Sequence, residues 1–155
     1  MSSVEVPPNT AGVQLCGATA EEFEPLLELR IAAMRESLER IGRFDPERAR
    51  QRFLASFVPE HTRHVLVQGK RVGFVAVTRS SEGLSLEHLY VHPEEQGRGI
   101  GSAVLAIVFH EADTLGQPLR VAALRDSASN RFYQRHGFVL VEEGPWDLYY
   151  VRQAR

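Results

Sequence analysis

Apolar residues at Phe23, Leu26, Leu27, Ile31, Met34 and Leu38 recur close to the helical period, so this stretch is predicted to be an amphipathic helix. Thr19-Ala20-Glu21-Glu22 ahead of it has capping-box spacing. Pro25 makes the first turn irregular, and the helix ends before Gly42. Residues 13–18 read as a short strand. Asp45-Pro46-Glu47 starts a second helix, with an acid at the cap and proline at the first helical position, running to about Phe57. Phe53, Leu54 and Phe57 give it an apolar face, and Arg48, Arg50 and Arg52 read as solvated charges.

The pattern then shortens. Residues 64–68 and 72–79, rich in β-branched positions and separated by Gly69-Lys70-Arg71, form a predicted hairpin, and residues 84–91 follow as a third strand with an apolar, central end. Helical spacing returns with Ile100, Val104, Ile107 and Val108 and stops near Gly116 and Pro118. Residues 119–124 are a buried strand. The intervening helix makes residues 84–91 and 119–124 parallel partners of a β-α-β crossover. Ser127 or Ser129 is expected to cap a short helix through His136. Residues 138–142 and 148–152 close the chain as strands joined at Gly144-Pro145.

A chain of 155 residues suits one domain, which at this size buries roughly 70% of its unfolded surface. Residues 1–11, with two prolines and no periodicity, are expected to be a flexible tail before a single domain over residues 12–155. Net charge of −2 and a pI near 6.3 disfavour nucleic acid and anionic membranes as partners. Cys16 is the sole cysteine, which precludes an internal disulfide and suggests a cytoplasmic setting. No run approaches the ~18 apolar residues of a membrane span. His88 and His92 stand four apart on a strand, a poor arrangement for converging on an ion, so no metal is expected.

The chemistry concentrates in Leu89-Tyr90-Val91-His92-Pro93-Glu94-Glu95-Gln96-Gly97-Arg98-Gly99-Ile100-Gly101-Ser102, read as strand, glycine-rich turn and helix start. Alternating glycines bare the backbone N–H groups of the turn while the helix aims its positive dipole end at them, which makes an anion cradle. A dinucleotide fingerprint would need G-x-G-x-x-G, and a phosphate-binding P-loop would need Gly-Lys-Ser/Thr; Gly97-Arg98-Gly99-Ile100-Gly101 has neither.

Gln96-Gly97-Arg98-Gly99-Ile100-Gly101 resembles the acyl-CoA signature of the GNAT superfamily of N-acyltransferases, Gln/Arg-x-x-Gly-x-Gly/Ala, at every fixed position. Phe132-Tyr133-Gln134-Arg135-His136-Gly137-Phe138 is similar to that family's F-Y-x-x-x-G-F motif. The resemblance is strong over residues 64–142. It implies an α/β (α+β), three-layer domain whose mixed, mostly antiparallel sheet of six or seven strands is split by a V-shaped cleft between residues 84–91 and 119–124.

The resemblance also implies that acetyl-CoA is the cosubstrate. Leu89, Tyr90, Val91, Gln96, Gly97, Arg98, Gly99, Ile100, Gly101 and Ser102 would hold it, the turn taking the pyrophosphate, the strand pairing with pantetheine and the Val91 N–H facing the thioester oxygen. Tyr133 matches the family position that protonates the departing thiolate, a phenol of pKa ~10 serving a thiol of ~8.5. Glu87 is the candidate general base, since strand alternation places it on one face with Ser85, Leu89 and Val91. Ser85 stands where many relatives carry glutamate. Asp126 replaces a frequent asparagine, for which Asn130 is expected to substitute as a cofactor contact. The expected reaction is acetyl transfer to a primary amine by direct attack in a ternary complex; the alternative is a catalytically silent acyl-CoA sensor. Glu36 and Glu39 are candidates for greeting a cationic acceptor, and the family commonly dimerises.

Overall fold

The computed structural model describes residues 12–155, so the expected tail lies outside the described residues. The described residues form seven strands: β1 (Val13–Gly17), β2 (Thr62–Val67), β3 (Lys70–Ser80), β4 (Gly83–Val91), β5 (Leu119–Leu124), β6 (Val139–Glu143) and β7 (Asp147–Arg152). They form one sheet in the order β1-β2-β3-β4-β5-β7-β6, antiparallel throughout except for β4 and β5. The helices are α1 (Phe23–Arg40), α2 (Pro46–Ser56), α3 (Ile100–Leu115) and α4 (Ser129–Arg135). The crossover helix α3 joins the one parallel pair, as the order of sequence patterns requires.

Local chemistry explains most element ends. The Thr19 amide donates to Glu22 Oε1 at 2.9 Å, completing the capping box, and a single 3-10 turn (Ala20–Glu22) leads into α1. Pro25 therefore sits in the first turn of α1, where its missing N–H has no intrahelical partner to lose. Asp45 Oδ1 accepts the amides of Glu47 and Arg48 at 3.0 and 3.3 Å, capping α2. The β2–β3 hairpin turns on Gln68-Gly69, with φ of 52° and 78°, rather than on the predicted Gly69-Lys70-Arg71; two left-handed central residues match the twist of the flanking strands. Neither Ser127 nor Ser129 caps α4: its N-cap is Ala128, with no side-chain capping bond.

Two cores lie on opposite faces of the sheet. One gathers Val65, Val75, Leu84 and Leu86 under Val104, Leu105 and Val108 of α3, with Tyr133 and Phe138 at its margin. The other joins Leu26 and Leu29 of α1, Phe53 of α2 and Phe74 of β3, built largely from stacked aromatic rings. Strand β4 serves both, and it changes phase midway. Ala76 pairs with His88 and Val77 with Leu86, which leaves Glu87 as an extra, unpaired residue: a β-bulge. Before the bulge Leu84 and Leu86 face α3; beyond it Leu89 and Val91 do. His88 and Tyr90 accordingly turn to the aromatic core, their rings 5.9 and 5.4 Å from Phe74.

Strand β3 approaches β4 closely at Gly73. A Cβ there would lie 2.2 Å from the Tyr90 carbonyl oxygen, so the absence of a side chain fixes the distance between the strands.

Candidate functional site

β4 and β5 pair only through Leu84–Leu119, Ser85–Arg120 and Leu86–Val121, then diverge. Beyond Leu86 the edge of β4 is open, and its hydrogen-bonding phase determines what it presents. His92 donates to the Val72 carbonyl at 2.8 Å across the Gly73–Val91 pair, which makes that pair, and Val75–Leu89 two residues back, the non-hydrogen-bonded kind. The N–H and C=O groups of Leu89 and Val91 therefore point into the gap. Those of Tyr90 are exchanged with Phe74. Gln96 Nε2 donates to the Val91 carbonyl at 3.0 Å and ties the start of the turn to the end of the strand.

The turn is built as an anion site. Gly97 and Gly99 have φ of 78° and 77°, in the left-handed region, and nothing lies within 4 Å of where a Cβ would project from either. The first helical hydrogen bond of α3 runs from Ala103 to the Gly99 carbonyl, at 3.0 Å. The amides of residues 97–102 make no hydrogen bond among the described residues. Six consecutive free N–H groups at a helix N-terminus suit phosphate oxygens, so the residues present fit a pyrophosphate-bearing cofactor. Gly101 also serves helix packing, since an added Cβ would lie 3.1 Å from Phe132 Cζ where α3 and α4 meet. Ser102 Oγ lies 3.0 Å from His136 Nε2, a contact that sequence reading missed although His136 falls inside the second motif.

Two adjoining cavities, of about 160 and 420 Å³, share Leu89, Val91, Gln96 and Tyr133. The larger follows the turn along Gln96, Gly97 and the start of α3. The Arg98 side chain does not line it and instead donates to Glu95 at 2.6 Å. Tyr133 is buried, its ring set edge-on to Phe138 at 5.3 Å, and its hydroxyl makes no hydrogen bond among the described residues. Burial, with Tyr90 adding to it, pushes the phenol well above its ordinary range, which favours the protonated, donating form. This widens the mismatch with a thiol beyond that expected of an ordinary phenol.

Three expected positions are revised. Glu87 does not share a face with Leu89 and Val91, because the bulge separates them; its Oε1 accepts from the Thr78 hydroxyl at 3.1 Å, on the side of α1 and α2, and it enters only the smaller cavity. Tyr90 enters the same cavity from that side, its backbone already paired with Phe74. Asn130 lies in neither cavity. Its Nδ2 donates to the carbonyls of Leu124 and Ser127 at 2.9 and 3.0 Å, and its Oδ1 accepts from Tyr150 at 2.8 Å, so the amide locks β5, α4 and β7 together instead of meeting a cofactor. Asp126 adopts φ of 65°, and its carbonyl accepts from Arg40 Nη1 at 3.3 Å. Glu36 and Glu39 pair with Arg40 and Arg35 one helical turn away, which neutralises them as lures for a cation.

His88 sits between the cleft and the aromatic core, 3.4 Å from Ser56 Oγ. Burial, helped by the nearby Arg30 charge, lowers its pKa from 6.5 to about 4. The unfolded chain thus takes up a proton before the folded one does, and stability falls as pH drops from 6.5 towards 4, by roughly 3 kcal/mol from this group. Urea denaturation at pH 7 and pH 4.5 should show a smaller loss in His88→Gln than in the parent; equal losses would mean that His88 does not contribute.

The open parallel pair, the bared edge of β4 and the glycine turn feeding α3 define a class: an α/β domain whose sheet splits beside a bare glycine turn at a helix N-terminus. Residues 60–140 match the acetyltransferase (GNAT) domain family, more than half of the chain, and the protein belongs to that family. It is 36% identical over 72 residues to the L-amino acid N-acyltransferase MnaT of Escherichia coli and 35% identical over 72 residues to the L-methionine sulfoximine/L-methionine sulfone acetyltransferase of Salmonella typhimurium. Each match covers 43% of this chain and 42% of the relative, so the chain matches less than half the length of these curated relatives.

Among solved structures, the PaiA N-acetyltransferase of Thermoplasma acidophilum in complex with coenzyme A superposes with a TM-score of 0.75 at 16% identity, covering 91% of this chain and 98% of the other. The ribosomal-protein-S18-alanine N-acetyltransferase of Escherichia coli gives 0.69 at 15% identity, covering 91% and 93%. At these identities the likeness is one of fold. No helix among the described residues is long and apolar enough to cross a membrane.

Proposed function

We propose that the protein transfers an acetyl group from acetyl-CoA to the primary amine of a cytoplasmic acceptor, by direct attack within a ternary complex. The observation that carries this reading is the meeting, around one gap, of the N–H edge at Leu89 and Val91, the bare turn at residues 97–102 and the Tyr133 hydroxyl, which makes no hydrogen bond among the described residues. Acetyl-CoA supplies an acetyl group already activated as a thioester.

The chain's residues do the rest. The free amides of the turn hold the pyrophosphate, and the edge of β4 aligns the pantetheine arm as an added strand. The Val91 N–H is the donor for the negative charge that builds on the acyl oxygen. The acceptor nitrogen forms the new C–N bond as the C–S bond breaks. Tyr133 gives its proton to the departing sulfur, and the proton lost by the amine passes through water to restore the phenol. Glu87, exposed at the acceptor side and held by Thr78, attracts the ammonium form and passes its first proton to solvent, which frees the nitrogen lone pair for attack. The names of the curated relatives bring amino acids forward as the first acceptors to test.

Thiol release from acetyl-CoA across a panel of amino acids, peptides, polyamines and aryl amines is the direct assay. Release that depends on an acceptor, with intersecting sequential kinetics, is expected. Tight CoA binding with no release anywhere in the panel would replace this reading with the silent sensor, and a ping-pong pattern with an acylated protein would exclude direct attack.

A further inference from the structure

The arginines of α1 and α2 fall into two groups by how they are neutralised. Arg35, Arg40 and Arg50 pair with Glu39, Glu36 and Glu24 on the outer surface. Arg30, Arg43, Arg48 and Arg52 have no carboxylate within ion-pair distance among the described residues, and all four line one small cavity of about 30 Å³. They come from α1, from the α1–α2 connection and from successive turns of α2, so the fold has brought them together. The sequence reading of Arg48 and Arg52 as solvated charges misses this convergence.

The cluster is short of negative charge. Arg30 is only 8% exposed, its Nε has no hydrogen-bond partner, and its guanidinium lies over the rings of Phe53 and Tyr90 at 5.9 and 5.7 Å. Arg43 stacks on Trp146 at 4.1 Å, which places the β6–β7 turn beside the group. Burial and repulsion from Arg48, Arg43 and Arg30 disfavour the charge on Arg52, with Asp147 acting in the opposite sense. Asp45, whose Oδ1 caps α2, is the one carboxylate among the described residues that lines the cavity, against four guanidinium groups. Arg30 is the buried member and Arg48 and Arg52 are exposed; an unpaired, desolvated cation such as Arg30 is costly, and an anion bound across the group relieves that cost. Guanidinium forks suit the paired oxygens of a carboxylate or phosphate.

The cluster's place relative to the cleft gives it a use. Met34 lines both the arginine cavity and the smaller cleft cavity, and Tyr90, beneath Arg30, lines the latter as well. Glu87 and Tyr133 belong to that same cleft cavity. The acceptor side thus offers one carboxylate near the point of reaction and, on the other side of Met34, four cations with no ion-pair partner among the described residues. That pattern of charge complements a molecule carrying an amine at one end and an oxyanion at the other.

Taking the acyl transfer described above as given, we propose that the acceptor is a small amine bearing an oxyanion, a carboxylate or a phosphate, which seats on Arg30, Arg43, Arg48 and Arg52 while its amine lies towards Glu87 and Tyr133.

Two matched pairs test this by thiol release: L-methionine against L-methioninamide for the carboxylate, and O-phosphoethanolamine against ethanolamine for the phosphate. The amide's amine is less basic and so more available for attack, which means that a preference for the acid cannot come from the amine. The anionic member of one pair should have a kcat/KM higher by roughly tenfold or more, the scale of a charge-assisted contact, and the pair showing it identifies the anion. Arg52→Gln and Arg48→Gln, at exposed positions where the fold tolerates change, should raise KM for the anionic acceptor and bring its ratio to the neutral partner close to one. Neutral members used as well as the anionic ones in both pairs, or an unchanged ratio in the arginine variants, would overturn the proposal. If none of the four releases thiol, the transfer reading is what fails for this class. Calorimetric titration of the CoA-bound protein with methionine and phosphoethanolamine then decides the anion site: heat that the Arg48→Gln/Arg52→Gln double variant loses supports it, and no heat from either overturns it.

Discussion

Tyr133→Phe is expected to lower kcat by about 100-fold, the usual reach of a positioned proton donor, while the KM for acetyl-CoA moves little. The variant removes only the hydroxyl, which makes no hydrogen bond among the described residues, and the ring contacts with Phe138, Phe132 and Tyr150 survive. Stability should therefore hold, and a parallel melting curve checks it. Because burial raises the phenol's pKa, the parent enzyme should show no loss of rate from ionisation of Tyr133 at any mildly alkaline pH. The discriminating measurement uses acetyl thioesters of increasingly acidic thiols. If Tyr133 protonates the leaving sulfur, the deficit of the variant shrinks as the leaving group needs less help. A deficit of constant size across the series would make Tyr133 a packing residue, and an undiminished kcat would remove it from the chemistry.

Gly99→Val should have the larger effect on binding. Gly99 is the N-cap of α3 with φ of 77°, a conformation that costs an L-residue roughly 1–2 kcal/mol and a β-branched one more. Its side chain would also enter the open space above the turn, over the amides that face the anion. Isothermal titration should show CoA affinity falling by about 100-fold, nearly 3 kcal/mol, with only a modest drop in Tm because the site is exposed. Gly101→Ala is the matched contrast. Its backbone is ordinary, and the new methyl meets only the tip of Phe132 at 3.1 Å, so its affinity should fall far less. A Gly99→Val protein that binds CoA like the parent would mean that the turn does not hold the phosphates.

The sequence shows its elements clearly because each core-facing residue type repeats at the period of its element: Leu26, Leu27 and Ile31 for α1, Val104 and Val108 for α3. The cradle is legible for a related reason, since Gly97 and Gly99 are needed by their own backbone angles, a local demand that leaves a local mark. What the sequence conceals is whatever depends on counting across strands or on distant encounters. The bulge at Glu87 follows from the register with β3, and no residue type near it announces the extra position. Asn130 matches a cofactor contact by type, yet the Leu124 carbonyl and the Tyr150 hydroxyl, six and twenty residues away, already claim it. The four unpaired arginines belong to three segments whose convergence is a tertiary fact.

Strand β4 carries one residue more than β3 can match, and the two halves of the strand are out of phase for that reason alone. A substitution at position 87 trims or exchanges a carboxylate and leaves this offset intact. Deletion of that one residue would let the ladder run on unbroken, with Leu86 and His88 opposite Val77 and Ala76, so Leu89 and Val91 would keep the side they hold now and the local bend and added twist of the bulge would be lost. The bulge falls one residue past the last pair of β4 with β5, so the extra residue coincides with the point at which the sheet opens, and the bend of the strand there is itself part of the site.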